Sequence, residues 1–177
     1  MKASSKRVTG ETDIEISIES EGKGKNKLET GIELLDMILD AFARGSGYDL
    51  MVKAKGDLET GDHHTTEDVG ITLGCVLAQI IKTGIGSSIV PKGQALALVA
   101  VRFGEVGYCG DFGFQASELC GMSLENFGHF LRSLAYSGHF TLHVHAKGGE
   151  DKSKIEAVSV ALGRAVVQAA LDNSGKK

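Results

Sequence analysis

The sequence predicts a single α+β domain, residues 1–177, made of two duplicated, pseudo-symmetric half-domains, each a sheet covered by helices. Three observations point there: an internal repeat, a regular switch between strand-like and helix-like apolar spacing, and a length that supports one well-cored domain. Displaced by 92 positions, "MILDAFARGSGYDLMVKAKG" (37–56) falls on "HFLRSLAYSGHFTLHVHAKG" (129–148) with seven of twenty positions identical, among them Leu39/Leu131, Ala43/Ala135 and Lys55/Lys147. After a three-residue deletion, "EDVGITLGCVLAQII" (67–81) falls on "EAVSVALGRAVVQAA" (156–170), matching Glu67/Glu156, Leu73/Leu162, Gly74/Gly163 and Gln79/Gln168. Two copies are too few for a solenoid. The half-repeats run over approximately 7–91 and 92–172.

In the first copy, "ETDIEISIES" alternates Ile14, Ile16 and Ile18 as a half-buried strand does. "LLDMILDAF" places Leu34, Leu35, Ile38, Leu39 and Phe42 on one helical face. "YDLMVKA" alternates again, and a Gly/Asp/His/Thr-rich turn leads into a helix beginning near Glu67. The second copy predicts strands near 94–103 and 108–116, and a helix over about 124–136 with Phe127, Phe130, Leu131 and Leu134 inward. A strand at 140–146 and a helix near 153–171 follow. "EGKGKNK" (21–27) reads as a solvated loop. The stretch "GIGSSIVPKGQ", with the single proline Pro91, reads as a flexible joint between the halves, because it lacks the spacing of a phosphate-binding loop.

Composition narrows the function classes. A net charge of −4 gives no reason to expect nucleic acid or an anionic membrane as partner. No apolar run approaches a membrane span, and "MKASSKRVTGETD" lacks the apolar centre of a signal peptide. Cys75, Cys109 and Cys120 are odd in number and without CxxC spacing, so reduced buried thiols and a cytoplasmic location are expected.

"TGDHHTTEDVGITLG" (60–74) holds two of the six histidines side by side. On a helix, His63 and Glu67 are i and i+4, and His64 and Glu67 are i and i+3, so either imidazole can share a face with the carboxylate. That is a half-site for Mn2+, Fe2+ or Zn2+, with Asp62 and Asp68 available to orient the rings from behind. The same residues also read as a helix start, Thr65 or Thr66 capping and Glu67 and Asp68 facing the positive end of the dipole. Spacing alone leaves both open.

The segments "TGIELLDMILDAFARGSGYDL", "GDLETGDHHTTEDVGITLG" and "HFLRSLA…TLHVHAKGGEDKSKIEAVSVALGRAV" resemble, in order, those of imidazoleglycerol-phosphate dehydratases, over about residues 7–170. The resemblance implies a ribosomal protein S5 domain 2-like fold of duplicated halves and a manganese hydro-lyase of histidine biosynthesis. Such an enzyme removes water from imidazoleglycerol phosphate to leave imidazoleacetol phosphate, in a trimer-based homo-oligomer with sites between subunits and no organic cofactor. His63, His64 and Glu67 match the first HHxxE element of that family, His129 the histidine of the second-copy helix, and Glu156 the glutamate of the second HHxxE element. These five are the metal-ligand candidates, and Glu11, Glu67 and Glu156 the catalytic candidates, Glu11 matching an acidic residue beside the substrate.

Other positions depart from the pattern. Met37 stands where the first helix would carry histidine, Lys152 and Ser153 where the second element would carry two, and Gly45 where another follows "FAR". Gly84 and Val106 stand near the positions of the phosphate-binding arginines. In the repeat, Met37 lies opposite His129, and His63 and His64 opposite Lys152 and Ser153. If each site takes its turn from one half and its helix from the other, one site keeps several ligands and the other is lost, giving at most one tightly held Mn2+ per chain. Two functions follow: a dehydratase with a reduced metal set, or a non-catalytic relative serving as a metal-binding or structural oligomer. His143 and His145, on one face of a strand, read as substitute ligands or as solvent-facing side chains. Lys152 and Lys154 read as phosphate contacts or a solvated helical turn, and Arg102 and Arg132 as phosphate contacts or surface ion pairs. Met37 fills, on this reading, the space of a lost imidazole.

Overall fold

The computed structural model describes residues 1–174. The first half comprises β1 (Lys2–Val8), β2 (Thr12–Glu19), β3 (Asn26–Glu29), α1 (Glu33–Ser46), β4 (Asp49–Gly56) and α2 (His63–Ile80). The second comprises β5 (Gly84–Lys92), β6 (Ala95–Phe103), β7 (Gly107–Asp111), the short pair β8 (Glu118–Leu119) and β9 (Met122–Ser123), α3 (Glu125–Ser137), β10 (Phe140–Lys147) and α4 (Asp151–Ser174). The sheets have one plan, β1-β2-β4-β3 and β5-β6-β10-β7. In each, the first three strands pair antiparallel and the last joins in parallel. No helix is long and apolar enough to cross a membrane among the described residues.

Alternation decides which face of each sheet is dry. Ile14, Ile16 and Ile18 of β2 and Leu50 and Val52 of β4 point inward, as do Ala97, Val99 and Val101 of β6 and Leu142 and Val144 of β10. Helices cover both inner faces, α2 lying on β1 and β2, and α4 on β5 and β6. The two helical layers then meet each other, α1 against α4 and α2 against α3, so all four helices lie between the sheets. Each contact crosses from one half to the other.

Glycine sets how closely the helices meet. A Cβ on Gly74 would lie 2.6 Å from the carbonyl oxygen of Leu134 in α3. A Cβ on Gly163, its repeat partner, would lie well inside van der Waals contact with the carbonyl oxygen of Phe42 in α1. Phe42 and Leu134 are themselves 92 positions apart, so both crossings use the same backbone approach.

Four local expectations change. Residues 84–92 form strand β5, not a joint, antiparallel to β6 throughout. Its inward positions include Gly84 and Gly86, and Ile85 and Ile89 face out, so the usual apolar alternation is inverted; α4 presses so close to Gly86 that no side chain fits there. The opening strand β1 is polar, as suits an edge, and gives no strand signature. The strand expected over 108–116 ends at Asp111, where Gln115 and Ala116 turn their N–H groups to the Asp151 carboxylate. Finally, α2 begins at His63, not near Glu67; neither threonine caps it, and both Thr65 and Thr66 are buried.

Substituting alanine for Gly163 or Gly74 should destabilise the protein by about 1–3 kcal/mol through overpacking, whereas Gly10→Ala, with open space around it, should leave thermal unfolding nearly unchanged. Melting temperatures of the three variants check this. Burial opposes ionisation of Asp151, yet the N–H groups of Ala116 and Gln115 and the Lys154 ammonium outweigh it and hold the carboxyl below the usual range. A folded-state pKa below the unfolded one contributes stability above the ordinary carboxylate range and loses it as pH falls through the lowered value. Asp151→Asn should therefore unfold at lower temperature than the parent at about pH 7, with the gap closing on acidification to about pH 3.

Candidate active site

The α2–α3 crossing brings the first half's histidine turn against the second half's helix. The His63 ring stands 5.3 Å, centroid to centroid, from that of His129 in α3 and 5.8 Å from that of His64. Glu67, one turn along α2, places Oε2 3.2 Å from His63 Nε2. Glu11, in the turn between β1 and β2, places Oε2 3.3 Å from His64 Nδ1. His63, His64, Glu67, His129 and Glu11 thus share one partly open surface, each side chain about half exposed.

Asp62 lies behind His63, as its place beside the pair suggested, but reaches it only through Asn126, which sequence reasoning missed. Asn126, at the start of α3, donates through Nδ2 to Asp62 Oδ1 at 2.8 Å, and its own Oδ1 accepts from His63 Nδ1 at 3.0 Å. An amide oxygen only accepts, so Nδ1 carries the proton. In the neutral ring the Nε2 lone pair then faces the Glu67 carboxylate, an arrangement that repels unless a proton or a cation lies between them. The second Asp62 oxygen is buried without a hydrogen-bond partner among the described residues, adding uncompensated negative character. The donor chemistry, imidazole nitrogen with carboxylate oxygen, fits a divalent transition ion such as Mn2+. Asn126 had one available signal: it precedes His129 by three residues and so shares its helical face.

The other candidates lie elsewhere. Glu156 is on α4, at the α1–α4 crossing, where its Oε1 is 3.2 Å from Arg44 Nη2 and 3.3 Å from Lys92 Nζ. Hydrogen bonding to Asp40 first, and then the Glu156 carboxylate, hold the Arg44 guanidinium firmly charged despite partial burial. Met37, on α1 at this second crossing, is packed against the core, in line with an apolar replacement for imidazole. Asp68 orients no imidazole; it binds Arg7 Nε at 3.0 Å and the Thr12 hydroxyl at 2.6 Å. Lys154 is not solvated: it is buried and donates to the Gly113 carbonyl at 2.6 Å. Arg132 stacks on Tyr136, 4.9 Å from its ring centre, and Arg102 lies 3.9 Å from Glu105. His143 and His145 are exposed on the outer face of β10.

The family model for imidazoleglycerol-phosphate dehydratase matches residues 30–166. The chain is 42% identical to the imidazoleglycerol-phosphate dehydratase of Desulforudis audaxviator, over 98% of this chain and 92% of that one. It is 41% identical to that of Methanocaldococcus jannaschii, over 90% and 83%. The crystal structure of the Pyrococcus furiosus protein superposes with a TM-score of 0.82 at 33% identity, covering 94% of this chain and 93% of that one. The Staphylococcus aureus protein superposes at 0.84 with 27% identity, covering 96% and 98%. Relatedness across nearly the full length, together with the duplicated fold and the HHxxE turn set against His129, means that the chain belongs to the imidazoleglycerol-phosphate dehydratase family.

Proposed function

We propose that the chain is a hydro-lyase of histidine biosynthesis that removes water from imidazoleglycerol phosphate, using one metal-binding cluster per chain. The observation that carries this reading is His63 Nε2 set 3.2 Å from the Glu67 carboxylate with His129 and His64 alongside, imidazole and carboxylate donors gathered on one surface. His63, His64, Glu67 and His129 would hold Mn2+, which when bound supplies the Lewis acidity that stabilises an imidazole ring as it takes up negative charge. The Asn126–Asp62 relay fixes the tautomer in which His63 offers Nε2. Glu11, beside His64, is the carboxylate placed to move a proton at the substrate. Among the described residues this cluster contains no three donors whose ligating atoms all lie within 4.8 Å of one another. Its open side therefore suits completion by a neighbouring copy in a trimer-based homo-oligomer. The exposed apolar strip of Ile85, Ile89, Leu96 and Leu98 on the second sheet supports self-association. A cytoplasmic setting accords with three free thiols, though Cys109 and Cys120 are exposed and Cys75 half-buried rather than buried as the sequence suggested, and with a biosynthetic small-molecule substrate.

A second reading, a non-catalytic metal-binding or structural relative, is favoured by the second crossing alone. There Glu156 is engaged by Arg44 and Lys92, and Met37, Lys152 and Ser153 offer no imidazole.

Purified protein incubated with Mn2+ and imidazoleglycerol phosphate should form the acetol product, and Glu67→Gln should lower that rate by more than about 100-fold, beyond the usual cost of an outer-shell loss. No turnover with metal bound would instead establish the non-catalytic relative. Elemental analysis after dialysis should give at most one tightly held manganese per chain; two would overturn the single-cluster reading. Asn126→Ala should weaken Mn2+ binding by about 10–100-fold in calorimetric titration, because His63 loses the acceptor that orients it.

A further inference from the structure

The outer face of the second sheet carries a separate donor cluster. β10 and β7 run parallel, with His143 directly across from Cys109 and His145 across from Asp111. Alternation points Leu142 and Val144 into the core and His143 and His145 out, with Cys109 on the same outward side. The ligating atoms of Cys109, His143 and His145 all lie within 4.8 Å of one another, and all three residues are exposed. It is the only trio of His, Cys, Asp or Glu among the described residues to converge this tightly. Among the described residues, no side-chain hydrogen bond or ion pair engages any of the three ligating atoms.

We infer that Cys109, His143 and His145 form a second metal site, distinct from the α2–α3 cluster, that binds Zn2+. One thiolate and two imidazoles match the borderline-soft preference of Zn2+, whereas a thiolate is a poor partner for Mn2+. Tetrahedral coordination with Zn–N of about 2.0–2.1 Å and Zn–S of about 2.3 Å sets the donor atoms roughly 3.3–3.6 Å apart. Side-chain rotation alone closes the remaining gap, because adjacent strands already hold the three backbones at sheet spacing. Three protein donors leave the fourth position to water, the arrangement of an open rather than a closed zinc site. On binding, the Cys109 sulfur forms the metal bond as its S–H bond breaks, and the proton passes to solvent, with no change of oxidation state.

Co2+ serves as the spectroscopic probe for Zn2+, since only a sulfur ligand gives a near-ultraviolet thiolate-to-cobalt charge-transfer band and the α2–α3 cluster has no thiol. Full-length protein titrated with Co2+ should develop this band with an amplitude that saturates at one thiolate-bound cobalt per chain, and lose it when Zn2+ is added. Cys109→Ser should abolish the band. His143→Ala and His145→Ala should each weaken Co2+ binding by more than the roughly 10–100-fold typical of an outer-shell loss. Glu67→Gln should leave the band intact, which separates this site from the proposed catalytic one. A measurement that needs no variant follows maleimide labelling of wild-type Cys109 by peptide mass spectrometry, which Zn2+ should slow at least tenfold. Absence of the band, its survival in Cys109→Ser or in both histidine variants, or labelling of Cys109 unaffected by Zn2+ would each overturn the proposal.

Discussion

Backbone-to-backbone approach at two glycines governs this molecule: Gly74 of α2 lies over the Leu134 carbonyl of α3, and Gly163 of α4 lies over the Phe42 carbonyl of α1. A side chain at either point would push the helices apart, and both pairs span the two halves. Each half covers its own sheet, but the helix faces turned away from that sheet find their partners only in the other copy. The duplicated sequence thus folds as one unit with a single continuous core, running from Ile14 in the first sheet through Phe42 and Phe130 to Val144 in the second.

The same approach makes two equivalent poles, one at the start of each crossing, and the chain has used them differently. At the α2–α3 pole, three imidazoles and two carboxylates share one partly open surface, and the Asn126–Asp62 relay leaves His63 Nε2 turned to the Glu67 carboxylate. A proton or a cation shared between the ring nitrogen and the carboxylate makes that contact favourable. At the α1–α4 pole the equivalent carboxylate, Glu156, already has its cations in Arg44 and Lys92, and Met37 fills core space. At one pole the carboxylate meets imidazoles; at the other it meets two fixed cations.

Strand β10 contributes to both faces of the second sheet in different ways. Its inward residues complete the core beneath α3, and its outward residues place two imidazoles beside the Cys109 thiol of β7. The period-two geometry of a strand permits this division, since changing outward residues leaves the packing of inward ones untouched. The outer face grades from apolar along β5 and β6 to imidazole and thiol side chains along β10 and β7.

Much of this was legible in the sequence because it repeats or alternates. The 92-residue displacement revealed the halves, the period of Ile14, Ile16 and Ile18 revealed a strand, and the family resemblance on "DHHTTED" pointed to the histidine turn. The repeat even paired Gly74 with Gly163 without disclosing why. Strands β1 and β5 escaped notice because one is polar and the other has glycines inward and isoleucines outward, a pattern set by how near α4 lies. Tertiary structure alone decided that Asn126 backs His63, that Glu156 belongs to Arg44 and Lys92, that Lys154 is buried on the Gly113 carbonyl, and that Cys109 meets His143. Those pairings join residues 34 to 112 positions apart. Local periodicity reports which way a side chain points; only packing of one element on another determines what it meets.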